Sequence, residues 1–119
     1  MASRRLERVG EQLRAEIARV LREEVADPRI GLVTILRVDV SPDLRHALVS
    51  WSRIERRGGP DLAAIAEGLE SAAGFVRRQL ARALPLKRMP ELRFRHDPGI
   101  ELGDATLSLL RELRNEPPQ

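Results

Sequence analysis

Cysteine is absent from the 119-residue chain, which excludes disulfides, thiolate metal sites and a cysteine nucleophile. Tyrosine is absent as well, and Trp51, Phe75 and Phe94 make up the whole aromatic complement. Rings this scarce, at positions that read as core, give no stacking platform for exposed bases. No apolar run approaches the roughly 20 residues needed to span a bilayer, and the opening "MASRRLERVGEQ" lacks the apolar centre of a signal peptide. A soluble, cytoplasmic chain with no membrane contact is the expectation. His46 and His96 are the only histidines, and neither belongs to a nucleophile, base and orienter set. There is no phosphate-cradling glycine loop and no dense cluster of metal ligands. These gaps argue against catalysis, a metal, a cofactor or a small-molecule substrate.

What the chain has in abundance is arginine. Lys87 is the single lysine, so 20 of the 21 basic residues are arginine, set against 18 acids for a net charge of +3. With so small an excess, the placement of charge matters more than its sum. Between Gly74 and His96 stand Arg77, Arg78, Arg82, Lys87, Arg88, Arg93 and Arg95, with Glu91 as the one acid. This segment is the candidate anion-binding surface.

Hydrophobic periodicity orders the rest. Leu6, Val9, Leu13, Ile17, Val20 and Leu21 fall at helical steps, predicting a helix from about Ser3 to Val25. Pro28 ends it by disfavouring helical geometry at Asp27, and Gly31 permits a turn. "LVTILRVDV", residues 32–40, is rich in branched residues and predicts a strand with Leu36, Val38 and Val40 on one face. "SPDLR" is turn chemistry, with Pro42 presetting its own φ and Asp43 able to bond the nearby backbone. A second strand follows over about Arg45 to Ile54, with Ala47, Val49 and Trp51 sharing a face. After the loop "ERRGGP", Asp61 is placed to cap a helix. Its stripe of Ile65, Leu69, Ala72, Val76, Leu80 and Leu84 ends at Pro85. "PELRFRHD" predicts a third strand with Leu92 and Phe94 inward and Arg93 and Arg95 outward. Leu102, Leu109, Leu110 and Leu113 indicate a final helix before the polar tail "RNEPPQ". The order is that of an α+β domain over residues 1–98, with helices on one face of a small three-stranded mixed sheet. Residues 99–119 add a C-terminal helix and tail.

Gly74 interrupts an otherwise regular helical pattern in "LESAAGFVRRQL". An interior glycine costs a helix about 1 kcal/mol relative to alanine. One reading is that Ala72, Ala73 and Gly74 let the helix pack closely on the sheet. The other is a helix, kink, helix arrangement whose exposed amides offer an anion site next to Arg77 and Arg78.

Three stretches carry a family resemblance: "RVGEQLRAEIARVLREEVADPRIGLVTI", "VDVSPDLRHALV" and "AAGFVRRQLARALPLKRMPELRFRHD", spanning Arg8 to Asp97. Their words and spacing resemble the bacterial ribosome-binding factor A family, and the element order is similar to a type II KH domain (αββααβ). The resemblance implies a KH-like fold whose Gly-x-x-Gly loop is replaced by an Ala-x-Gly helix kink, here Ala72, Ala73 and Gly74. It implies association with the free small (30S) ribosomal subunit and help with late maturation of 16S rRNA, including its 5′ end. Cold adaptation belongs to the same picture, as does action by binding without covalent chemistry. Without the Gly-x-x-Gly loop, shape and phosphate contacts are expected rather than reading of single-stranded sequence.

The expected RNA-binding residues are Arg77, Arg78 and Arg82 on the helix, Lys87 and Arg88 beyond it, and the backbone at Ala73 and Gly74. Arg45, Arg93 and Arg95 extend the patch. A monomer is expected, because no spare apolar stripe is visible. Three other readings are a general KH-like RNA-binding module, a DNA-binding helix-turn-helix over residues 61–84, and a protein-interaction module docking through the last helix.

Overall fold

Leu13, Ile17 and Val20 lie one helical turn apart and are wholly buried. In the computed structural model, which describes residues 4–30, 33–53 and 59–98, they form the inner face of helix α1 (Arg4–Glu23). Its outer face carries ion pairs at helical spacing: Arg14 with Glu11, and Arg19 with both Glu16 and Glu23. Beyond α1 the chain is held by Asp27, whose carboxylate accepts from the Arg29 backbone N–H at 2.9 Å and from its guanidinium. This brings Ile30 into the core.

Strands β1 (Val33–Val40) and β2 (His46–Arg53) pair antiparallel, and β2 pairs parallel with β3 (Glu91–His96), giving the order β1-β2-β3. The connecting turn "SPDLR" is tied by Ser41 and Asp43. Ser41 Oγ donates to Asp43 Oδ1 at 2.6 Å, and the N–H of Arg45 donates to the same oxygen. Leu44 adopts a left-handed φ of 61° within this network.

Ala47, Val49 and Trp51 share the inner face of β2, as their alternation predicts. In β1 the expected face of Leu36, Val38 and Val40 is corrected by a bulge. Ile35 pairs with Trp51 and Arg37 with Ser50, which leaves Leu36 as an extra residue. One added residue reverses the alternation, so Ile35 joins Val38 in the core while Leu36 is half-buried. In β3, Leu92 is buried, Phe94 is half-buried, and Arg93 and Arg95 are exposed.

Helix α2 (Leu62–Ala83) starts at Asp61, whose side chain accepts from the Ala64 N–H at 2.8 Å. It ends where Leu84 turns extended ahead of Pro85. Its buried residues are Ile65, Gly68, Leu69, Ala72, Val76 and Leu80. Together with α1 they cover the inner face of the sheet, so the domain is a two-layer α+β fold. The two helices expected on either side of Gly74 are one unbroken helix. Leu69, Ala72, Val76 and Leu80 remain in phase across the glycine, and its neighbours impose no steric demand for a break. The helix expected from Leu102, Leu109, Leu110 and Leu113, the tail, and the boundary after residue 98 lie outside the described residues.

Candidate nucleic-acid interface

The cationic surface is built mainly by the second half of α2. Glu67 and Glu70 occupy its first half, and Arg77, Arg78 and Arg82 its second. This polarity suits the helix dipole, which favours acids near the N-terminus and bases near the C-terminus. Gly74, Arg78 and Arg82 recur at intervals of four, which aligns them along one side of the helix. All three are exposed. Neither Arg78 nor Arg82 has an acidic partner among the described residues.

Gly74 is open toward solvent. A methyl group added there would meet only Arg78 Nη1 at 3.5 Å, an ordinary contact. Close packing on the sheet therefore does not account for this glycine. The kink reading is also corrected in one respect: within an unbroken helix, the amides after Gly74 are used in the i to i−4 ladder and present no free helix N-terminus. What remains is a single exposed glycine, next to half-buried Ala73, with the Arg78 guanidinium beside it and exposed Arg82 one turn further along the helix.

Arg77 plays a different part. Its Nη2 donates to the Met89 carbonyl at 2.8 Å and its Nε to the Pro90 carbonyl at 3.3 Å. The side chain thereby fastens the loop between α2 and β3. Lys87 and Arg88 are exposed on that loop and have no ion pair among the described residues. Arg45 is drawn to the same end of the sheet, where its carbonyl accepts from the Glu91 N–H at 2.8 Å.

Arg93 and Arg95 are placed elsewhere. Alternation in β3 turns them to the face of the sheet opposite the helices, and Arg93 is 3.8 Å from Glu91. On that face Arg95 stands across from Ser50, which has Arg37 on its other side. The expected ten-residue patch thus divides. Gly74, Arg78 and Arg82 with Lys87 and Arg88 belong to the helix and the following loop, while Arg93 and Arg95 form part of the outer sheet.

Two residues outside the expected set contribute to this surface. Arg5 and Leu44 line a cleft together with Lys87 and Arg88. Arg5 resembles any other arginine of an amphipathic helix, so only the fold shows its proximity to the α2–β3 loop. The signal at Leu44 is a bulky residue in the last position of a turn.

Among the described residues no group of three or more His, Asp or Glu side chains is placed to hold a metal ion, and no helix is long and apolar enough to cross a membrane. The helix-turn-helix reading of residues 61–84 fails because α2 has no turn.

Comparison with known proteins yields a consistent set of relatives. The sequence profile of the family described as Ribosome-binding factor A matches residues 5–110. The chain is 43% identical to Ribosome-binding factor A of Pseudomonas syringae pv. tomato over 108 residues, covering 91% of this chain and 78% of that protein. It is 41% identical over 116 residues to Ribosome-binding factor A of Thermomicrobium roseum, covering 98% and 88% respectively. Its fold is similar to the crystal structure of ribosome-binding factor A from Thermus thermophilus, with a TM-score of 0.68 and 23% identity over 76% of this chain and 94% of that one. It is also similar to a Thermus thermophilus ribosome binding factor A homology model fitted into a cryo-EM map of a 30S complex. That match has a TM-score of 0.61 and 25% identity over 75% of this chain and 91% of the other.

Proposed function

Since the chain belongs to the ribosome-binding factor A family, we propose that it binds the free small ribosomal subunit and assists late maturation of 16S rRNA, including its 5′ end. Cold adaptation is part of the same proposal, because RNA rearrangements slow as temperature falls. A relative fitted into a 30S complex supports the choice of partner. The protein acts as a monomer in the cytoplasm, by binding and without covalent chemistry.

The observation that carries the reading is the line of Gly74, Arg78 and Arg82. Two arginines with no acidic partner among the described residues follow an exposed glycine at one and two helical turns, and the guanidinium of the first lies beside it. An RNA backbone can approach such a surface closely, with each arginine placed to give paired N–H donors to a phosphate. Lys87 and Arg88, held in place through Arg77, extend the contact into the loop. Arg45 lies at the near end. Arg93 and Arg95 enter the proposal as a separate contact made by the outer face of the sheet. In this arrangement Ala73 and Gly74 supply access and the arginines supply affinity. The arrangement positions the protein on shaped RNA and reads no base edges.

Sedimentation of the tagged protein in lysate at low and moderate salt tests the proposal. The expected result is migration with free small subunits, absence from intact ribosomes, and loss of the association in a folded Arg78→Glu, Arg82→Glu variant. Migration with free protein at both salts would reject the ribosomal reading. Normal subunit binding by the folded double variant would reject this face.

A further inference from the structure

The N-terminal turn of α1, the β1–β2 turn and the α2–β3 loop enclose a cleft of about 290 Å³. Arg5, Lys87 and Arg88 contribute its charge, and Val9, Leu44 and Leu86 contribute apolar surface. Among the described residues no acid lines it, and none of the three cations has an ion pair. Its size is at the lower limit of ligand pockets, which begin at about 300 Å³.

The cleft is also maintained at a cost to the backbone. Leu44 is held at a φ of 61°, a conformation that is unfavourable for a bulky side chain. Four hydrogen bonds impose it: Leu44 N–H to Ser41 O, Ser41 Oγ to Asp43, Arg45 N–H to Asp43, and His46 N–H to Ser41 Oγ. Strain that its surroundings enforce in this way clusters at ligand sites. Here it coincides with the apolar wall of a cationic cleft. Pro85 and Pro90, also part of the lining, restrict the facing loop, and Arg77 anchors that loop to α2.

An apolar recess with three cations around it and no lining acid is complementary to a ligand whose flat apolar part is joined directly to an anion. We infer that the cleft receives one unpaired nucleotide of single-stranded RNA, its base against Leu44, Val9 and Leu86 and its flanking phosphates near Arg5, Lys87 and Arg88. The inference rests on the RNA-binding reading above and adds to it a base-accepting site distinct from the Arg78 and Arg82 line. An acidic peptide would satisfy the cations but would leave the apolar surface without a partner.

The test is an NMR titration of the isotopically labelled full chain with a mixed-sequence octaribonucleotide, an abasic strand of the same length, and an acidic octapeptide. The octaribonucleotide is expected to shift the amides of Val9, Leu44 and Leu86, and the abasic strand to leave them in place. Leu44→Gly keeps the backbone conformation, because glycine adopts positive φ freely. It is expected to weaken the octaribonucleotide about fivefold, through the smaller apolar area left to cover the base, with no change for the abasic strand. Arg5→Gln is expected to weaken both. Equal responses to the two strands, silence at all three amides, or a stronger response to the peptide would each overturn the inference. Cosedimentation of the same preparation with small subunits separates the two levels. Subunit binding with a silent cleft rejects only the nucleotide site, whereas a responsive cleft without subunit binding rejects the ribosomal reading.

Discussion

At Gly10 an added methyl group would collide with the carbonyl oxygen of Val38. The helix lies against β1 so closely that glycine is required there. Gly10→Ala is therefore expected to destabilise the fold by about 2 kcal/mol or more through forced displacement of packed backbone, measured as a lower urea midpoint. Gly74 presents the opposite case. An added methyl group would make only an ordinary contact with the Arg78 guanidinium, so Gly74→Ala is expected to raise stability by about 0.5–1 kcal/mol through better helix propensity. The same change places a methyl group on the surface proposed to meet RNA and is expected to weaken subunit binding. A stabilised variant with unchanged binding would show that Gly74 has no part in the interface. Of these two glycines the sequence draws attention to Gly74, which breaks a visible pattern. Gly10 lies within an ordinary amphipathic stretch, and its importance depends on Val38, a neighbour on a different element.

At the scale of elements, α2 and its following loop act as one unit through Arg77. Replacing Arg77 by alanine is expected to free the carbonyls of Met89 and Pro90 and to speed amide exchange around residues 86–91, at a stability cost of about 1 kcal/mol. Arg78→Ala, with no such partners, is expected to leave exchange unchanged. A binding defect shared by both variants, with altered exchange only in the first, would distinguish loop positioning from direct contact. Most of these elements were legible in the sequence. The α1 stripe, the Asp61 cap, the inner face of β2 and the stop at Pro85 all follow from local periodicity and turn chemistry. The β1 bulge was not legible. Leu36, Val38 and Val40 alternate convincingly, and only pairing with β2 shows Leu36 to be the extra residue. The division of the arginine patch has a similar origin. Arg77 to Arg95 form one run in the chain, and the sheet then turns Arg93 and Arg95 away from the helices.

For the whole molecule, the apolar core carries the fold, and surface charge makes its stability depend on pH. The carboxyl of Asp27 is held below the usual aspartate range by hydrogen bonds from the Arg29 side chain and backbone. That of Asp43 is lowered by the Ser41 hydroxyl and the Arg45 backbone. Each lowered group contributes stability that is fully present above the ordinary aspartate value of about 3.9 and is lost as pH falls through the depressed folded value. Urea midpoints are accordingly expected to hold steady from neutrality to about pH 5 and to decline below about pH 4. Asp27→Asn is expected to flatten part of that decline.

The salt dependence of affinity for purified small subunits, compared between the unaltered protein and the Arg78→Ala, Arg82→Ala variant, decides whether these arginines meet phosphates. If both arginines engage phosphates, the double variant binds more weakly, and its plot of log affinity against log salt is shallower by about 0.7–0.9 for each phosphate released from an arginine. An unchanged slope in a folded variant would contradict the placement of RNA on this face of α2.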